Sequence, residues 1–429
     1  MTEQISNDKA IKFFNKQYRI VDHDGRVDLL KYGDDRIIFN TIPSRREFFK
    51  YLQTSVGRGQ FMDAFDFWLA DIKAKRSTGL IFDPSKEPES YAHATRLDRP
   101  FNVWKGWGVT PKKGDCQPFL DFLKVVICAG DENLFQYLLH YLGHLFQKPG
   151  EIPEISIVLR GGQGIGKSFF VKNIGKLLHP MHFFHFASNN LLTGRFMEHL
   201  AGKLIFFADE AFWAGDKKAE GQLKAVITES NLAVEPKNHP AFTINNKVRL
   251  FIASNERWVI PAGLDDRRYC FLDVSEIYKT ETPYFKQLQK ELDNGGLEAL
   301  LHYFLNEVDL TGFEVRDVPK TPGLIEQKLE SADTVFKFWY EQVVENPSLF
   351  EKCENVGFVP KVEVYSRYKM ADLQTKRRQP QTAFLRLTRN FFPAEEGPRV
   401  KINGKRTRTV ILPSHENVKK SLFAILGIN

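Results

Sequence analysis

The nine residues Arg160-Gly161-Gly162-Gln163-Gly164-Ile165-Gly166-Lys167-Ser168 combine the residue types that hold a polyphosphate, with the spacing G-x-x-x-x-G-K-[ST]. Glycines let backbone N–H groups close around phosphate oxygens, and a helix that follows adds the positive end of its dipole. Lys167 would reach the β- and γ-phosphates and Ser168 would hold Mg²⁺. Some forty residues on, Asp209-Glu210 follow the apolar run Leu204-Ile205-Phe206-Phe207-Ala208. Asp209 would bind Mg²⁺ directly or through water, and Glu210 would polarise an attacking water. Alone, adjacent acids after a strand are common capping and surface features; behind a glycine loop they make a Walker B-type pair. Val248 to Ser254 forms another apolar run ending at Asn255, placed to touch a γ-phosphate or its water, although an Asn there is also a frequent turn residue. Asp265-Asp266-Arg267-Arg268 offers two arginines. One could reach a neighbouring subunit's site and stabilise charge on a transferring phosphoryl group; the cluster reads equally well as surface ion pairs. Together these residues predict a nucleoside triphosphate site with hydrolytic chemistry.

The elements around them fit. Ile155-Ser156-Ile157-Val158-Leu159 reads as a buried strand before the glycine loop, and Phe169 to Leu178 has helical spacing after it. Upstream, Gln117 to Gln147 predicts two apolar helices divided at Gly130, a collar for the core, and Pro149-Gly150 breaks the chain before the strand. Earlier still, Tyr18–Val21 and Val27–Leu30 flank Asp22-His23-Asp24-Gly25-Arg26, a hairpin signal. Phe61, Phe65, Trp68, Leu69 and Ile72 share one helical face. Trp104 and Trp107 could stack on bases or pack in a core. After a helical stretch from Tyr284 to Val308, Pro319, Pro322 and Gly323 predict a linker. The last segment carries helical runs near Thr334–Val344, Val362–Leu373 and Gln381–Phe391, then a strand pair, Arg399–Ile402 and Arg406–Leu412, around Asn403-Gly404.

Charge is unevenly shared. From Lys361 to Asn429 fifteen lysines and arginines stand against five acids, a net +10, so the rest of this +7 chain sums to −3. A basic module on a near-neutral body is the footprint of a nucleic-acid contact, although surface lysines also serve solubility. Lys376, Arg377 and Arg378 precede a helix bearing Arg386 and Arg389, and Lys401, Lys405, Arg406 and Arg408 sit on or beside the strand pair. Helices followed by a hairpin fit a winged-helix module. Such contacts are to backbone phosphates in kind, and a wing can equally serve protein docking. Four scattered cysteines without C-x-x-C spacing argue against a zinc site or a disulfide framework. No apolar run approaches a membrane span, and no signal peptide is legible, so a cytoplasmic protein is expected.

Gly161 to Asn255 holds all three motifs within about 95 residues. In this compactness the chain resembles the superfamily 3 helicases, specifically the helicase half of phage, plasmid and poxvirus-type primase-helicases. The resemblance covers Gln117 to Val274 and, more loosely, the tail. It includes Leu223-Lys224-Ala225-Val226-Ile227-Thr228 and then Val234-Glu235-Pro236-Lys237-Asn238-His239. In that family the intermediate motif forms a hairpin whose basic tip lines a central pore, so Lys237 and His239 become pore-loop candidates. The resemblance further implies an α/β fold with an AAA+-type P-loop core, ATP bound at the interfaces of a homo-hexamer, and 3′→5′ movement on single-stranded DNA. It suggests Arg267 or Arg268 as the finger without choosing between them. The expected layout is an α+β N-terminal domain over 1–115, a helical collar over 116–150, the ATPase core over 151–310 and a basic winged-helix-like domain over 325–429. ATP-dependent DNA unwinding in replication of a phage, plasmid or related mobile element is the expected activity, with a primase or polymerase as a candidate partner. The competing reading is a nucleotide-switched AAA+ initiator or loader that binds DNA without processive unwinding. A polymerase-like primase domain would need paired metal-binding acids upstream. Asp34-Asp35 and Asp63 with Asp66 lack that setting, so no primase activity is expected.

Overall fold

The computed structural model describes residues 2–23, 25–32, 37–90, 100–186, 200–210, 217–234, 242–371, 379–402 and 404–428. They fall into two compact units. One comprises Met1–Phe212, Lys218–Arg257 and Cys270–Pro319; the other comprises Trp213–Lys217, Trp258–Tyr269 and Lys320–Asn429.

The first unit is built on a five-stranded sheet whose order is Phe183–Phe186, Ile205–Ala208, Arg249–Ser254, Ser156–Arg160, Tyr269–Asp273. Arg249–Ser254 runs parallel to both of its neighbours, and Phe183–Phe186 runs parallel to Ile205–Ala208. The central strands are buried along their whole length, so their inner residues, Ile205–Ala208 and Leu250 to Ala253, read as continuous apolar runs rather than alternating ones. Parallel order aligns the strand ends, which brings the glycine loop, Asp209 and Asn255 to one edge of the sheet. Below them lie the collar helices. Gln117–Phe122 continues as a π-helical turn over Leu123–Ile127, Gly130 takes a φ of +80°, and Glu132–Gln147 follows with Asp131 capping it through Leu134 N at 3.0 Å. Helices Thr282–Glu291 and Leu297–Asn306 pack into the same apolar core.

At the chain's start the hairpin forms as its Asp-Gly signal suggests, Tyr18–His23 pairing antiparallel with Arg26–Tyr32. The aromatic helix is shorter than its pattern. Ala64–Ala70 buries Phe65 and Trp68, but Phe61 lies on the strand Gln60–Asp63 and Ile72 is 79% exposed. Asp63 is that helix's cap, accepting from Phe65 N at 2.8 Å, and Asp66 pairs with Arg46 at 2.7 Å, which gives both acids structural work. Asp34 and Asp35 lie outside the described residues. Trp104 packs in the core against Trp107 (5.1 Å) and His182 (4.5 Å), so it offers no free face for a base.

In the second unit, Pro322 and Gly323 open a helix, Pro322–Ser331, in place of the expected linker. Thr321 caps it through Leu324 N at 3.2 Å, and proline suits the first helical position because no N–H is needed there. Four more helices (Thr334–Val344, Ser348–Val356, Lys361–Ala371, Gln381–Thr388) and a terminal one, His415–Leu426, enclose a core around Trp339, Tyr368 and Phe384. Ser348–Val356 and His415–Leu426 were not legible as separate helices. The hairpin is Val400–Ile402 with Lys405–Thr407. Chain beyond Arg408 leaves it, because Thr409–Ile411 pairs instead with Val359–Pro360 and Glu395–Glu396, correcting the single long strand expected over Arg406–Leu412. All four cysteines are buried and free. Among the described residues no helix is long and apolar enough to cross a membrane.

Candidate active site

Gly161, Gly164 and Gly166 take φ values of +148°, +78° and +101°, conformations a side chain would resist, and the helix Lys167–Lys176 starts directly from them. The loop therefore has the backbone freedom that closing around an anion requires. Lys167, only 7% exposed, lies back along it. Its Nζ donates to the carbonyls of Gly161 (2.7 Å) and Gly162 (2.6 Å) and to Asn255 Oδ1 (2.8 Å). Burial holds its pKa below the ordinary lysine value, opposed by the carboxylates of Asp209, Glu210 and Glu276. A partly desolvated ammonium among acceptors it can exchange is well suited to receive a phosphate oxygen.

Ser168 Oγ donates to Asp209 Oδ1 at 2.9 Å, so the two expected Mg²⁺ ligands already touch. Glu210 adopts a φ of +55°, a strained left-handed conformation for a residue with a side chain, directly after Asp209. A cavity of about 250 Å³ is lined by Gln163 through Phe169, by Asp209 and Glu210, by Ala253 to Asn255, and by Phe285. Among the described residues no group of three or more His, Cys, Asp or Glu side chains could hold a metal. Mg²⁺ needs none, since it commonly takes one or two protein oxygens and completes its shell with phosphates and water. The residues present fit it.

Two neighbours of the site escaped the sequence. His185, on the strand beside Asp209, places Nε2 3.2 Å from Asp209 Oδ2 and stacks on Phe207 with ring centres 5.0 Å apart. It thereby engages Asp209 Oδ2 while Ser168 engages Oδ1. Phe285, on the helix Thr282–Glu291, lines the cavity from a segment that periodicity alone marked only as helical. No local motif signals either; only the strand order brings them in.

The other candidates are not among the residues lining the cavity. Arg267 and Arg268 belong to the second unit and are absent from the residues lining the cavity. Arg268 is tied to Asp266, with 3.3 Å between the charged groups, whereas Arg267 is exposed and has no partner among the described residues. Asn231–Val234 and Phe242–Asn245 pair antiparallel, but Lys237 and His239 lie outside the described residues, as do Lys376, Arg377 and Arg378. Lys401, Lys405, Arg406 and Arg408 are exposed on or beside the hairpin and have no ion-pair partner among the described residues. Arg389 is bound to Glu396 at 2.9 Å and is less free for phosphate than its position suggests.

Residues 159–268 match the model of a family described only as of unknown function, DUF5906. The chain is 26% identical over 176 residues to a protein described as a DNA primase-polymerase from Nitratiruptor phage NrS-1. That match spans 38% of this chain and 24% of the relative. In fold, the chain is similar to the apo structure of the NrS-1 C-terminal region (305–718). The TM-score is 0.67 and the identity 18%, over 94% of this chain and 98% of that one. A second apo form of the same region gives a TM-score of 0.64 at 17% identity, over 95% and 100%.

Proposed function

We propose that this chain is an ATP-dependent DNA helicase of the superfamily 3 type, with an AAA+-type P-loop core and a winged-helix-like basic domain, acting in replication of a phage or related element. One observation carries the reading. Lys167, Ser168, Asp209 and Asn255, drawn from three strand ends, meet through hydrogen bonds of 2.8 Å and 2.9 Å at the mouth of a glycine loop. That is the set a triphosphate needs: a cradle, a mobile cation, a metal position and a polar group for the γ-phosphate or its water. Mg²⁺, when bound, would supply positive charge to offset that of the phosphates. Ser168 and Asp209 would hold it; Lys167 would leave the loop carbonyls for the phosphates; Glu210 would orient the water and accept its proton; Asn255 would keep the γ-phosphate in line.

The replication setting draws on the phage relative, whose whole length is described as a primase-polymerase, and on the exposed cations of the C-terminal hairpin. Such cations suit DNA phosphates rather than base edges. In a homo-hexameric ring the Lys237 and His239 segment would grip the strand, and Arg267 or Arg268 would complete the neighbour's site. Strand displacement on a forked DNA with a 3′ single-stranded tail tests this. Wild type should displace the strand with MgATP and Lys167→Ala should not. Nucleotide hydrolysis stimulated by DNA without any displacement would replace the helicase by a loader.

A further inference from the structure

Strand order gives the glycine loop two different flanks. The strand leading into it, Ser156–Arg160, has Arg249–Ser254 and then Ile205–Ala208 on one side, so Asn255, Asp209 and Glu210 all lie on that flank. On the other side is Tyr269–Asp273, and the chain leaving it folds back over the loop as a strap. Three backbone bonds hold the strap: Val274 N to Arg160 O (2.8 Å), Ser275 N to Val126 O (2.8 Å) and Thr280 N to Gly164 O (3.2 Å). Val126 belongs to the π-helical turn, which is where a helix carries carbonyls free for outside partners. At the strap's end Thr280 takes a φ of +61°, a strained value for a β-branched residue.

This strap delivers Phe285 to the cavity wall. The ring comes so close to the loop that a Cβ on Gly166 would sit 2.9 Å from it and 3.0 Å from Phe122. Phe169 and Phe122 pack around it, with ring centres 5.4 Å and 6.1 Å away, yet Phe285 remains partly exposed toward the cavity. The cavity's polar side chains are those of the glycine loop, the two acids and the Ser254–Asn255 strand end. None comes from the Phe285 flank.

Resting on the nucleoside triphosphate reading of this site, we propose that Phe285 is the platform on which the nucleobase stacks. With the γ end held between Lys167, Asp209 and Asn255, the nucleoside must leave along the opposite flank, and the aromatic face there is Phe285. Stacking on an aromatic ring tolerates any base, since every base has a π-face, and among the described residues that line the cavity no polar side chain comes from that flank to read a base edge. The site therefore accepts purine and pyrimidine triphosphates alike.

The test compares hydrolysis of MgATP, MgGTP, MgCTP and MgUTP, and inhibition by inorganic tripolyphosphate, in wild type, Phe285→Leu and Phe285→Trp. Leucine keeps an apolar filler over Gly166 but removes the ring. Wild type should use the four nucleotides with KM values within a few-fold. Phe285→Leu should raise all four KM values about ten-fold, the loss of one stacked base, with kcat and tripolyphosphate inhibition unchanged. Phe285→Trp should restore KM, and its added fluorescence should be quenched by MgATP and not by tripolyphosphate. Tripolyphosphate inhibition weakening in step with nucleotide KM would make Phe285 a prop for the loop and overturn the platform. Unchanged nucleotide KM in Phe285→Leu would also overturn it, leaving the phosphate site standing. A wild-type chain that neither hydrolyses nor binds any of the four nucleotides, and does not bind tripolyphosphate, would remove the site itself.

Discussion

Replacing Asn255 by aspartate changes one chemical group at the point where the site's cation is held. Lys167 Nζ lies 2.8 Å from Asn255 Oδ1 in a position only 7% exposed. With an amide there, the lysine can exchange its acceptors for a phosphate. A carboxylate in the same place makes a buried ion pair that attracts by about 6 kcal/mol before desolvation, at an effective dielectric near 20. An arriving phosphate must draw the lysine away from that partner and then sit roughly 5 Å from an added negative charge, which alone costs about 3 kcal/mol for each unit charge at the same dielectric. Affinity should fall by about 100-fold or more, since each 1.4 kcal/mol is a factor of ten. Asn255→Ala is the control. It frees the lysine, so triphosphate binding should stay within a few-fold while turnover drops for want of the γ-phosphate contact. Titration calorimetry with a non-hydrolysable ATP analogue and Mg²⁺ reads both. If Asn255→Asp binds as tightly as wild type, or if the two variants weaken binding equally, Lys167 is not the phosphate's partner.

Three further outcomes follow from the geometry. Ser168→Ala and Asp209→Asn should each raise the Mg²⁺ concentration for half-maximal turnover at least about ten-fold, as loss of a ligand does; a metal titration checks this, and an unchanged midpoint would move the metal elsewhere. Burial pushes the pKa of His182 down to about 3 and that of His144 to about 4. Their unfolded value is higher, so the unfolded chain binds more protons below about pH 6.5 and stability is lost as pH falls from there toward 4, by about 1.4 kcal/mol per unit for each histidine. Urea midpoints at pH 7 and pH 5 should show that loss, and His182→Gln should reduce it; equal midpoints in the wild type would contradict it. Of the two arginines, Arg267 is exposed and unpartnered among the described residues whereas Arg268 is engaged by Asp266. On the proposed ring, Arg267→Ala should assemble normally and fail to hydrolyse, and normal hydrolysis by both single variants would refute the proposed finger.

The placement of the glycine loop and of the two acids at strand ends was legible because it is local: each follows an apolar run at a fixed spacing, and the sequence carries both. Which strands neighbour which was not. Phe183–Phe186 gives no motif, yet its position beside Ile205–Ala208 is what brings His185 to Asp209. Phe285 likewise depends on a strap held by backbone bonds to Val126, Arg160 and Gly164, and backbone bonds leave no trace in residue type. Pro322 misled because proline opens a helix as readily as it breaks one. Ile72 fitted the period of a helix that had ended at Ala70, since periodicity counts residues and not caps. The strand expected over Arg406–Leu412 looked continuous, but its second half finds its partners in Val359–Pro360 and Glu395–Glu396, far away in the chain.

The most direct test of the nucleotide site is MgATP hydrolysis by the full chain with single-stranded DNA titrated in, beside Lys167→Ala. The proposed function predicts turnover in the wild type that rises with DNA, and none in the variant, whose fold should be unaffected. Equal turnover by both proteins, or no nucleotide binding by either, would contradict the reading of Gly161 to Ser168 as the site of phosphate chemistry.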